Sequence, residues 1–215
     1  MMKAVFTNLT AHYTSNSKLS EQLWNEVETA YSNQKRHYHN LHHLEHLLNE
    51  LFEVKEKIKD WDVLLFSLFY HDLVYNPLRR DNEERSIIIA ENRLATIDVP
   101  SGKIDACKKQ ILATKAHEKT EDGDTDFFID ADLSVLGQDW NDYKNYVTAI
   151  RKEYSLYADN LYYPGRKAVV QHFLQMDRIF KTEYFFAKYE AQARQNLQQE
   201  LENIEQALRQ AEDDK

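Results

Sequence analysis

The chain has 215 residues but only 4 glycines and 3 prolines, against about 15 and about 11 at average usage, which leaves no room for turn-rich β sandwiches, barrels or Gly-rich phosphate loops. Its net charge of −9 argues against binding along an extended nucleic-acid backbone, although a local basic pocket for a small anion stays open. The single cysteine, Cys107, excludes a disulfide framework and a thiolate zinc site within one chain, and no segment approaches the roughly 20 apolar residues that span a bilayer.

The remaining class is all-α. Helical periodicity begins near Leu19, where Ser17 or Ser20 can cap a stretch carrying Leu23, Trp24, Val27 and Tyr31. A second helix is expected from about Asn40 to Lys59. A third runs from Asp60, a natural cap, to about Tyr75, with Pro77 beyond it. A fourth covers Asn82–Ile97 behind Asp81, and Pro100 stops it. Ser101 opens a fifth, to about His117, followed by a polar loop, Glu118 to Asp126. The apolar run FFIDADLSVLG closes at Gly137. Asp139 opens a helix to about Tyr157, Pro164-Gly165 begins another, and a long charged helix starts near Thr182. The last helix carries Phe186, Tyr189, Ala193, Leu197, Leu201, Ile204 and Leu208 at spacings of three and four, a pattern that covers its own core or packs on a partner helix, including that of a homodimer. Its Ala-Glu-Asp-Asp-Lys end is expected to fray. We read residues 1–215 as one domain, with its core motifs in 36–140 and a helical C-terminal extension over 141–215. The N-terminus lacks a signal-peptide core and cleavage site, so the expected compartment is cytoplasmic.

Five of the nine histidines, His37, His39, His42, His43 and His46, fall within ten residues. A helical wheel of about 100° per residue separates them. Leu44, Leu47, Leu48, Leu51, Val54 and Ile58 define an apolar face. His42 and His46 point away from it, whereas His43 sits on its edge. The third helix is apolar nearly all round and ends in His71-Asp72. A carboxylate beside an imidazole there needs compensation, either within the pair or from a cation. If consecutive helices are antiparallel neighbours, the start of one lies near the end of the next, close enough for His43 and His71 to share a metal. Asp130 and Asp132 interrupt another apolar run. One of them can be a helix cap, but two buried carboxylates call for a cation or strong donors.

These residues resemble the HD-domain superfamily of metal-dependent phosphohydrolases. A histidine early in one helix, a His-Asp pair ending a buried helix and a later aspartate match His43, His71-Asp72 and Asp132, with Asp130 as the alternative. The flanks RHYHNLHHLEHLL, FYHDLVYNPLRRDNEERS and FIDADLSVLG are similar to a bacterial subgroup of predicted HD hydrolases, and that likeness extends to IRKEY, YPGRKAV and the AR-x-NL stretch. The resemblance implies an HD-like helical bundle and a metal held by His43, His71, Asp72 and Asp132. That donor set suits Mn, Fe, Co, Ni or Zn better than Mg. It further implies hydrolysis of a phosphate ester or anhydride on a small phosphorylated substrate, with nucleotides among the candidates, by metal-activated water.

Asp72 can also orient that water. Glu83, Glu84 and Asp130 are candidate acids or bases, and His117 is a second-metal ligand, a base beside the site, or a helix-end residue. Arg36, Arg79, Lys115 and Arg166 are the basic residues in motif context for phosphate, and His39 and Tyr75 are placed at the pocket mouth. His12, His37 and His172 have no supporting context. Two other classes compete: an HD-type di-iron oxygenase, disfavoured by the shortage of histidines between residues 72 and 132, and a non-catalytic nucleotide sensor or partner-binding module.

Overall fold

A computed structural model describes residues 1–213, so the last two residues of the Ala-Glu-Asp-Asp-Lys end, where fraying is expected, lie outside the residues described. Among these residues there are ten α-helices and no strand. They are α1 (Met2–Thr10), α2 (Ser17–Tyr31), α3 (Leu41–Glu53), α4 (Trp61–Tyr70), α5 (Asn82–Thr96), α6 (Ser101–Ala113), α7 (Gly123–Leu133), α8 (Trp140–Glu153), α9 (Asp159–Gln175) and α10 (Glu183–Asp213). No described helix is long and apolar enough to cross a membrane. The chain divides into two compact units, Met1–Asp132 and a second beginning at Leu133.

The first unit is built around α4, which packs against α1, α3, α5 and α6. Every residue from Val63 to Tyr70 is buried, as a helix without a polar face requires. Phe69 meets Phe6 and Trp24 edge-on, at centroid distances of 5.0 and 6.3 Å. Its interior polar residue, Ser67, is satisfied by Gln110 Oε1 at 2.7 Å. Asp60 caps α4 by accepting from the Val63 amide. Cys107 is buried on α6, and burial pushes its thiol up to about 12, as befits a structural rather than a reactive cysteine.

Several boundaries differ from the sequence reading for identifiable reasons. A first helix, α1, precedes the first expected one. Its Met2, Phe6 and Leu9 are buried at a helical spacing. Asn16, not a serine, caps α2. Asp81 makes no cap bond to α5, because Arg79 takes both of its oxygens at 2.6 Å. α4 stops at Tyr70, five residues early, and α6 stops at Ala113. Beyond α6, His117 adopts a left-handed backbone (φ 52°) and returns its N–H to the Ala113 carbonyl. α7 begins inside the expected polar loop, because Asp122 accepts from the Thr125 amide and caps it.

In the second unit, α9 starts at Asp159, so Pro164 lies inside the helix rather than opening it. Proline has no N–H, so the helix forgoes one backbone bond there. α10 buries Phe185, Tyr189, Ala193, Leu197 and Ile204, so much of its apolar stripe covers its own unit. The 3-10 turn Ser134–Gly137 lies against α10. Asn196 Nδ2 donates to the Leu136 and Gln138 carbonyls, both at 2.8 Å. A Cβ at Gly137 would come within 2.4 Å of Tyr189 Cβ, an atom fixed to the α10 backbone. Gly137→Ala is therefore expected to cost about 1–3 kcal/mol by overpacking. A shifted urea midpoint at unchanged slope would register this, and an unshifted midpoint would refute the close approach.

Candidate metal centre

Three helices and one loop deliver the site. Asn40 caps α3 by accepting from the His42 amide, which fixes the register of the first turn. His43 then falls on the buried side with Leu44, Leu47 and Leu48, while His42 stays exposed beside Glu45. His71 follows the last residue of α4 and keeps helical dihedrals, with its N–H on the Ser67 carbonyl. Asp132 stands in the last turn of α7, and His117 on the loop after α6.

These elements converge on one point. The His43 and His71 Nε2 atoms are 3.3 Å apart, and Asp132 Oδ1 lies 3.2 Å from the first and 3.9 Å from the second. All three donor atoms fit within 4.8 Å of one another. Ligands sharing a metal at about 2.0–2.2 Å stand roughly 3–3.5 Å apart, so two of the three separations suit a single ion and the third, 3.9 Å, is wider. Asp72 adjoins the trio, with Oδ2 3.2 Å from His71 Nε2 and 4.0 Å from His39 Nε2. The other Asp132 oxygen is 3.1 Å from His117 Nε2.

The electrostatics favour a cation. His71 Nδ1 faces the Leu68 carbonyl at 3.0 Å, so in neutral imidazole the proton belongs there. The Nε2 lone pair then points at two carboxylates and another imidazole. Without a positive charge this arrangement is repulsive. A proton on His71 supplies that charge: burial opposes it, but Asp72 and then Asp132 outweigh burial and raise His71 to about 9. Burial likewise opposes ionisation of Asp72 and Asp132. The histidines outweigh it in both, chiefly His71 for Asp72 and His117 and His43 for Asp132, and hold both carboxyls below the usual range. His43 Nδ1 is a buried polar atom with no partner. The site also has a closed and an open side. The His43 and His71 side chains are 2% and 1% exposed, whereas those of Asp72, Asp132, His117 and His39 are 15–19% exposed.

The other candidates are distributed differently. Asp130 is fully buried. It precedes Asp132 by two residues, about 200° of helical rotation, so it is Asp132 that meets the histidines. Glu83 and Glu84 are gathered with Lys115, whose ammonium pairs with both carboxylates and donates to the Arg80 carbonyl. Arg79 is paired with Asp81 at the surface. Arg166 belongs to the second unit, where it forks onto Glu200 at 2.8 and 3.0 Å. His39 stacks on Tyr75 at a centroid distance of 4.1 Å, beside Asp72. Arg36 donates to the Asp72 and Leu73 carbonyls at 2.7 and 2.8 Å rather than standing free for an anion.

Two residues near the site escaped the sequence reading. Tyr31 accepts the Asp72 amide through its hydroxyl, at 3.2 Å, and Tyr38 packs on His43 at a centroid distance of 4.9 Å. Nothing local marks Tyr31, which ends the apolar stripe of α2 and reads as core. Tyr38 carried a signal in its place between His37 and His39. Comparison with models of known protein families, with curated proteins and with solved structures finds no match to this chain.

Proposed function

We propose that this chain is a metal-dependent phosphohydrolase of the HD type, with His43, His71 and Asp132 as the core of the metal site and Asp72 as its fourth ligand. The observation that carries this reading is the convergence of His43 Nε2, His71 Nε2 and Asp132 Oδ1 within 4.8 Å, with both imidazoles buried. Two imidazoles with carboxylates favour Mn, Fe, Co, Ni or Zn over Mg. A divalent ion held there supplies Lewis acidity toward a phosphoryl oxygen and a lowered pKa for water.

The protein's own groups account for the rest. His71 is kept in one orientation by the Leu68 carbonyl. A small phosphorylated substrate reaches the cluster from the open side lined by His39, Asp72, Asp132 and His117. His117, partly exposed and hydrogen-bonded to Asp132, is the group placed to hold or move a proton. Glu83 and Glu84 are less suited to that task, because both are engaged by Lys115.

The test begins with protein purified without added metal, measured by mass spectrometry and by titration with Mn(II), Co(II) and Zn(II). One ion per chain is expected, and no binding would sink the reading. Phosphate release from nucleotides and phosphomonoesters then follows, with His71→Ala as the contamination control. His117→Asn is expected to retain the metal and lower kcat by roughly 100-fold or more. Unchanged turnover in that variant would remove His117 from the chemistry.

A further inference from the structure

Arg36 lies where three observations meet. Its guanidinium donates to the carbonyls of Asp72 (2.7 Å), Leu73 (2.8 Å) and His39 (3.3 Å). Its carbon sits 4.9 Å from the Tyr31 ring centroid and 5.6 Å from that of Tyr75. Tyr31 in turn accepts the Asp72 amide. The carbonyls belong to two stretches far apart in sequence. One, residues 71–73, leaves the C-terminus of α4, where unpaired carbonyls concentrate negative potential. The other, residues 36–40, leads into α3 and thus to His43.

We infer that Arg36 is a positioning residue that staples the His71–Asp72 corner to the α3 approach, and so sets the spacing of the His43 and His71 Nε2 atoms on which the proposed metal site rests. This deepens the reading above and gives Arg36 a role other than substrate recognition. The function needs a planar fork. One side chain must reach the Asp72 and Leu73 carbonyls with separate nitrogens while its charge sits over two aromatic rings. A lysine ammonium in that position keeps the charge but lacks the fork.

The experiment uses the full chain and Co(II) as the probe, because its visible absorption reports ligand geometry as well as affinity. Arg36→Ala is expected to weaken Co(II) binding by about 10–100-fold and to shift its absorption bands. Methylguanidinium should restore binding, and methylammonium should not. Arg36→Lys, which keeps the charge should the alanine variant fail to fold, is expected to lose about tenfold. Wild-type affinity and spectrum in the lysine variant would overturn the proposal, as would equal rescue of Arg36→Ala by methylammonium. A readout independent of metal separates the two readings. In metal-free protein the His43 and His71 imidazole resonances should move in Arg36→Lys, measured by NMR. If wild type binds no Co(II), the metal reading fails by itself, and unmoved resonances would additionally sink the role of Arg36.

Discussion

Asp132→Ala is expected to abolish stoichiometric metal binding, lowering affinity at least about 100-fold, beyond the range seen when groups around metal ligands are removed. Asp132 is the point through which the cluster is joined. One carboxylate oxygen faces His43 at 3.2 Å and His71 at 3.9 Å, and the other faces His117 at 3.1 Å. Truncation removes one of the three convergent donors together with its negative charge. Two buried imidazoles and the neighbouring Asp72 remain. Asp132→Asn keeps the shape but loses the charge, and should also bind poorly. Asp130→Asn supplies the contrast, since Asp130 is on another side of α7, and this variant should retain the ion. Metal content by mass spectrometry and Co(II) titration read both outcomes. An Asp132→Ala protein that still carries one ion per chain would refute the assignment. Loss of metal from Asp130→Asn alone would shift the site to the other carboxylate.

The second large effect lies in the other unit and concerns stability. Glu200→Ala is expected to destabilise the protein by about 3–5 kcal/mol, the usual cost of stranding one partner of a buried ion pair. Arg166 and Glu200 have side chains only 9% and 4% exposed, joined by two bonds of 2.8 and 3.0 Å. Tyr143 donates its hydroxyl to the same carboxylate, and Arg166 also donates to the Tyr146 hydroxyl. Burial, and then the Glu200 charge, raise the Tyr143 phenol, so it stays a donor. Removing Glu200 leaves a buried guanidinium facing tyrosine hydroxyls. A melting temperature lower by roughly 10 °C would be typical of a chain this size. Arg166→Met combined with Glu200→Leu should recover much of the loss, because an apolar pair avoids the desolvation cost of two ions. A single variant that loses less than about 1 kcal/mol would show that the pair is not insulated from water.

The three motifs IRKEY, YPGRKAV and AR-x-NL, all in the second unit, make related contributions. Arg151 of IRKEY donates to the Tyr154 and Tyr157 carbonyls and pairs with Asp159. Arg166 of YPGRKAV holds Glu200. Arg194 of the AR-x-NL stretch binds Glu190 and the Leu174, Met176 and Asp177 carbonyls. Each arginine pins a helix or a helix end inside the second unit. Of the three, Arg166 reads in sequence as a phosphate binder, yet all three are structural fasteners.

What the sequence determined by itself was local. Scarce glycine and proline dictated helices. The near-uniform apolarity of residues 63–70, broken only by Ser67, dictated a buried α4, and the 3.6-residue period told His43 from His42. Each property is decided within a few turns of one helix, so a wheel captures it. Only the tertiary structure decided which charges meet. Asp130 and Asp132 stand in a run apolar on all sides, where no wheel ranks them; their orientation follows from the Asp122 cap and from α7 placing Asp132 against His43. Arg36, Lys115 and Arg166 looked alike as cations, yet one holds carbonyls 36 and 37 residues away, one pairs with Glu83 and Glu84, and one is buried on Glu200. A charge takes its partner from whichever element the packing of apolar faces brings beside it, and that pairing has no period in the sequence.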